Sequence, residues 1–205
     1  MTIDFDPATH TYRAGDRVVP GVTRVLEPLA DFGGVGSEIL RIAAERGQAV
    51  HSACHYLDEA DLDTSTLDPK VVPYVDAWAR FKHDSRLTIL AMETVIHSER
   101  HGYAGRLDRI IDLDEMGPSI LEIKSTAQHP ELTAPLQTAA YADAVMDDRR
   151  QYPQGRPAFA MRRYCVQLRV DGTYRLHEYQ PSTQRLHFSL FLSALQLHNW
   201  RMNHA

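Results

Sequence analysis

The chain has 205 residues, of which 43% are hydrophobic and 24% charged, a length and composition suited to one globular domain with a sizeable core. A formal net charge of −5 excludes a protein coated in basic charge, although a local basic groove on an acidic chain still holds nucleic acid. Cys54 and Cys165 make no CxxC pair and no zinc or iron–sulfur pattern, which fits a cytoplasmic, reducing location. The start, Met1 to Asp6, does not read as a signal peptide, and no apolar run approaches the ~18 residues needed to span a membrane.

Residues 1–36 predict a small β-hairpin, with Tyr12 and Val18-Val19 around a turn at Ala14-Gly15-Asp16, then a short apolar segment after Pro20-Gly21 and a glycine-rich loop over 28–37. No Gly-Lys-Ser/Thr follows those glycines, so this is not a phosphate loop. Residues 37–85 predict helices. Ser37 is the expected N-cap of the first, and Ile39, Leu40, Ala43, Ala44, Val50, Cys54 and Leu57 recur at helical spacing. Gly47 within it costs ~1 kcal/mol relative to alanine, which points to a close backbone approach or a break. An acidic loop over 61–68 leads to a second helix from Pro69 to Asp84, with Pro73 tolerated in its first turn.

Residues 86–205 predict a strand from Leu87 to His97, then a hairpin. Its arms are Gly102–Leu113 and Ser119–Ser125, both rich in Ile and Leu with period two, and Asp114 to Pro118 form the turn. Asp108 is expected to share a face with Ile110 and Asp112, opposite Leu107, Arg109, Ile111 and Leu113; Ile120, Glu122 and Lys124 share a face of the second arm. Adjacent arms therefore carry Asp108, Glu122 and Lys124 to one patch. Two carboxylates and an amine there suit a hard divalent cation with a water beside it. A loop over 125–130, a helix over 131–147, a Pro/Gly-rich loop over 152–157, a hairpin around Asp171-Gly172 and a last helix from Pro181 to Met202 complete the chain. The order predicts a single α/β (α+β) domain over 1–205 with a mixed central sheet flanked by helices.

Arg46-Gly47-x-x-x-His51, Glu93, Gly105-x-x-Asp108, Glu122-Ile123-Lys124 and Gln137-x-x-x-Tyr141, in that order, resemble the PD-(D/E)XK nuclease superfamily, in particular its RecB-like exonuclease branch with phage-type members. Each motif is unspecific alone; the ordered set on the expected elements carries the resemblance. It implies a restriction-endonuclease-like core and a metal-dependent DNA exonuclease, for recombination or replication end processing in phage or prophage. Asp108, Glu122 and Lys124 would be catalytic. His51, Asp108, Glu122 and the carbonyl of Ile123 would hold Mg²⁺ or Mn²⁺, the nitrogen ligand favouring Mn²⁺. Gln137 and Tyr141 would hold the nucleic-acid backbone or Lys124. Glu93 would either stand behind the ligands or be a strand-surface acid.

Two departures qualify the match. Leu107 stands where the signature has proline, and the cysteines that hold an iron–sulfur cluster in several relatives are absent, so no such cluster is expected. No helicase motif is present, so the chain would act on DNA alone or with a separate recombination or helicase partner. A site-specific endonuclease would need a recognition domain that the sequence lacks. A catalytically silent nucleic-acid-binding subunit would have lost one of Asp108, Glu122 or Lys124. Arg46 and Arg106 are expected to contact phosphates beside the metal, with Gln137 and Tyr141 on the opposite wall; the competing expectation is ion pairing to Glu45 or Asp112.

Overall fold

The computed structural model describes residues 3–30, 36–125, 132–147 and 161–204. Three short strands, β1 (Ile3–Asp6), β2 (Thr11–Ala14) and β3 (Arg17–Val19), form an antiparallel sheet. The hairpin expected from Tyr12 and Val19 is present, and β1 is an addition to it. Helix α1 (Val22–Leu26) follows, then α2 (Ser37–Asp58) and α3 (Val72–Ser85). Gly36, not Ser37, caps α2, and its cap makes no side-chain hydrogen bond. Helix α2 runs unbroken through Gly47, whose nearest would-be Cβ neighbour, Ser125 Oγ, lies at an ordinary 3.8 Å.

The main sheet contains β4 (Thr88–Ser98), β5 (Tyr103–Asp112), β6 (Pro118–Lys124), β7 (Arg163–Leu168) and β8 (Tyr174–Tyr179), in that spatial order. Only β6 and β7 run parallel, so the sheet is mixed, as expected for a chain that returns through a helix between them. That helix is α4 (Ala134–Asp147), and α5 (Gln184–His204) closes the fold. The predicted loops over 126–130 and 152–157, and residues 31–35 of the first loop, lie outside the described residues.

Each face of the sheet has its own core. On one, Ile110 and Ile120 pack against α1, α4 and α5 through Val25, Tyr141 and Phe191. On the other, Ile111, Leu121 and Ile123 pack against α2 and α3 through Val50, Trp78 and Phe81. The alternation in β6 holds as predicted. In β5 it does not: Leu107 joins the same cluster as Ile110, three residues on. The break coincides with the end of β5–β6 pairing, since Arg109↔Leu121 is the last bridge before Asp108. From there back to Tyr103, β5 pairs with β4.

A buried charge network ties the second core together. Asp58, near the end of α2, accepts hydrogen bonds from Trp78 Nε1 at 2.9 Å, Lys82 Nζ at 2.6 Å and Arg109 Nε at 2.9 Å. The Asp58 and Arg109 side chains are only 0% and 1% exposed. Arg109 Nη1 also donates to Glu93 Oε1 at 3.1 Å and to the Asp108 carbonyl at 2.7 Å. Removing one member of such a pair leaves a buried charge without its counter-ion, which typically costs about 3–5 kcal/mol. Asp58→Ala is therefore expected to destabilise the protein by about that amount in urea titration. A loss below about 1 kcal/mol would show that Arg109 finds water or another partner.

Candidate active site

The parting of β5 and β6 creates the site. Where the next backbone bridge would fall, the Asp108 carboxylate takes over: its Oδ2 accepts from the Ile123 backbone N–H at 2.7 Å. Its other oxygen, Oδ1, lies 3.4 Å from His51 Nδ1, which arrives on α2 from the opposite face of the sheet. Glu122 and Lys124 face α4 on the other side. Lys124 Nζ donates to Glu122 Oε1 at 2.7 Å and to Gln137 Oε1 at 3.1 Å, and Gln137 Nε2 donates to Glu122 Oε1 at 2.7 Å. Gln137 Nε2 also lies 3.0 Å from the Tyr141 hydroxyl, so α4 buttresses both catalytic candidates through one amide.

Tyr141 reaches this position because residue 105 has no side chain. A Cβ on Gly105 would fall 2.7 Å from Tyr141 Cε1, closer than packed atoms allow, and a tight 3.3 Å from Val22 Cγ2. The glycine of Gly105-x-x-Asp108 thus makes room for the ring.

All sequence-predicted catalytic residues meet here, and several stand differently from expectation. Gln137 and Tyr141 are 3% and 1% exposed and lie beneath Glu122 and Lys124, so they form a floor and not a DNA-facing wall. Arg106 pairs its Nε with Glu93 Oε2 at 3.0 Å and covers the Phe5 ring, so its partner is neither Glu45 nor Asp112. It is Arg41 that pairs with Glu45. Arg46 lies over the Tyr74 ring at 5.7 Å. Glu93, left open between two readings, sits between Arg106 and Arg109 and has φ +47°, a left-handed conformation within a strand.

The site's groups shift one another's protonation. Burial, reinforced by the Asp108 charge, pushes Glu122 up to about 7 against the pull of Lys124. Burial acts on Asp108 in the same sense, but His51, Lys124 and the Ile123 N–H outweigh it and hold that carboxyl below its ordinary range. Burial would lower Lys124, yet the carboxylates of Glu122 and Asp108 raise it, so the amine stays charged. The two carboxylates are thus driven apart, a pattern that accompanies acid–base sites.

The donor set fits a divalent cation. One ligand atom each from His51, Glu93 and Asp108 lies within 4.8 Å of the other two. Glu122 Oε2 is buried with no hydrogen-bond partner among the described residues, a carboxylate oxygen that a cation would satisfy.

A model of the PD-(D/E)XK nuclease superfamily matches residues 36–200. The chain belongs to the PD-(D/E)XK nuclease superfamily. The five-stranded mixed sheet between helical layers is the fold expected of that superfamily. Among solved structures, the chain is similar to an alkaline exonuclease, LHK-Exo, from Laribacter hongkongensis, with 11% identity over 90% of this chain and 91% of that one and a TM-score of 0.35. It is also similar to LHK-Exo in complex with dAMP, with 12% identity, 91% and 92% coverage and a TM-score of 0.34. No curated protein matches the chain. No helix among the described residues is long and apolar enough to cross a membrane.

Sequence reasoning missed Asp58 and the tie it makes to Arg109. A signal was available: Asp58 lies seven residues after His51, two helical turns along the same side of α2.

Glu122 gives the metal-free protein a defined pH response. Its folded pKa of about 7 exceeds the ordinary 4.5, so the folded state binds the extra proton between those values. Stability from this group is full below about 4.5 and is lost as pH rises towards 7. Glu122→Gln should therefore gain stability relative to wild type as pH rises through that window, read as the difference in thermal midpoints in EDTA. A difference that stays constant with pH would show that Glu122 is not strained by burial.

Proposed function

We propose that the protein is a divalent-metal-dependent DNA exonuclease of the RecB-like kind, acting in phage or prophage end processing. The observation that carries this is the meeting of Asp108, Glu122 and Lys124 at the parted strands, with a buried Glu122 carboxylate oxygen that has no hydrogen-bond partner among the described residues. His51, Asp108 and Glu122 would hold the cation together with the Ile123 carbonyl, and Glu93 joins them as a further oxygen donor because it lies within reach of His51 and Asp108. A bound Mg²⁺ or Mn²⁺ supplies charge neutralisation at the phosphate and lowers the pKa of a water. The mixed nitrogen and oxygen set favours Mn²⁺.

Lys124 would orient the attacking water with its charged amine, held by Glu122 and Gln137. Gln137 and Tyr141 act by fixing Lys124 and Glu122. Arg46 would contact phosphate, its guanidinium being stacked on Tyr74 and paired with no carboxylate among the described residues. Arg106 would do so only by releasing Glu93.

End-labelled single- and double-stranded DNA with Mn²⁺ or Mg²⁺ tests the activity and its polarity. Asp108→Ala should nearly abolish Mn²⁺ affinity in calorimetry. Lys124→Ala should keep Mn²⁺ and DNA binding while reducing kcat by at least about 100-fold, because an amine that orients water acts mainly in the transition state. Unchanged Mn²⁺ affinity in the first variant, or near-normal turnover in the second, would remove the proposed roles.

A further inference from the structure

Most cations around the site are already engaged. Arg41 pairs with Glu38 and Glu45, Arg106 with Glu93, Arg109 with Asp58 and Glu93, and Lys82 with Asp58. A polyanionic strand needs positive charge that is not neutralised from within the protein.

The sheet register shows where such charge stands. In the parallel pair β6–β7, Lys124 is opposite Gln167; in the antiparallel pair β7–β8, Gln167 is opposite Arg175. Opposed residues share a face, so Lys124, Gln167 and Arg175 form one row running outward from the site. Two contacts agree with that placement. Lys124 reaches Gln137 on α4, and Gln167 Oε1 lies 3.4 Å from His177 Nε2, two residues along β8 from Arg175 and on the same face. The row spans two strand spacings, roughly 10 Å.

Gln167 is buried, whereas Arg175 is exposed, and no described residue pairs with the Arg175 guanidinium. Arg169 is exposed too and is the first residue after β7, two residues beyond Gln167. Its backbone N–H donates to the Thr173 carbonyl at 2.9 Å and keeps the hairpin closed. The neighbouring acid, Asp171, accepts from the Thr173 hydroxyl at 2.6 Å and the Thr173 backbone N–H at 3.0 Å; it feels the charge of Arg169 but makes no ion pair with it among the described residues.

We infer that Arg175 and Arg169 bind the sugar–phosphate backbone of the substrate strand beyond the cleavage point, on a track that runs from Lys124 past Gln167 to the β7–β8 hairpin. This deepens the nuclease reading and rests on it. Guanidinium groups suit the task because their planar fork matches phosphate oxygens. Contacts of this kind position the strand without reading its sequence. The competing account is that charge on β8, an edge strand, only keeps other strands from pairing with it.

The test is fluorescence anisotropy of labelled single- and double-stranded DNA with the full chain in EDTA, over a range of salt, paired with Mn²⁺ cleavage kinetics. Arg175→Gln and Arg169→Gln should each weaken binding alike for all sequences and flatten log K against log salt by about one unit. KM should rise several-fold with kcat within about twofold of wild type, since uniform binding is what is lost. Variants that melt like wild type and keep its salt slope and KM would overturn the track and leave edge protection as the role of both arginines. If wild type binds neither DNA, the nuclease reading fails and the track fails with it.

Discussion

The site depends on one event in the main sheet: β5 and β6 stop pairing at Asp108. A sheet normally separates its two faces, and residues on α2 and α4 would never meet across it. Here the Asp108 side chain replaces a backbone acceptor for the Ile123 N–H, which lets the strands separate without leaving a buried donor unpaired. Through the opening, His51 from the α2 side reaches Asp108, while Glu122 and Lys124 stay under α4. The carboxylate that would hold a metal is thus the same one that repairs the broken ladder.

Such an opening needs rigid support, and buried charge provides it. Arg109, next to Asp108, is fixed by Asp58 and Glu93 and binds the Asp108 carbonyl. Asp58 in turn fastens α2 to α3 through Trp78 and Lys82. The helix that carries His51 and the strand that carries Asp108 are therefore joined by an ion pair shielded from water. Buried pairs contribute little net stability over apolar packing, so their retention here fits a role in geometry.

Much of this was legible in the sequence. The alternation Ile120-Leu121-Glu122-Ile123-Lys124 marks a strand with one apolar and one chemical face, and the structure keeps it. The helical spacing of Val50 and Cys54 placed α2 correctly around His51. The rest depended on contacts between distant segments. Asp58 and Arg109 read as ordinary charged residues, because nothing local says that they neutralise each other in the core. Glu93 stood undecided for the same reason: its role follows from its backbone turn and its two arginines. Strand β1 was missed because Ile3-Asp4-Phe5-Asp6 is too short to declare itself without the partner it finds in β2.

The central claim is that the parted strands bring both faces of the sheet to one cation. Anomalous diffraction from a crystal grown with Mn²⁺ measures this directly. The account predicts a peak at bonding distance from an Asp108 oxygen and His51, with Glu122 Oε2 or Glu93 turned towards it. No peak between β5 and β6, or a peak held by residues of one face alone, would contradict it.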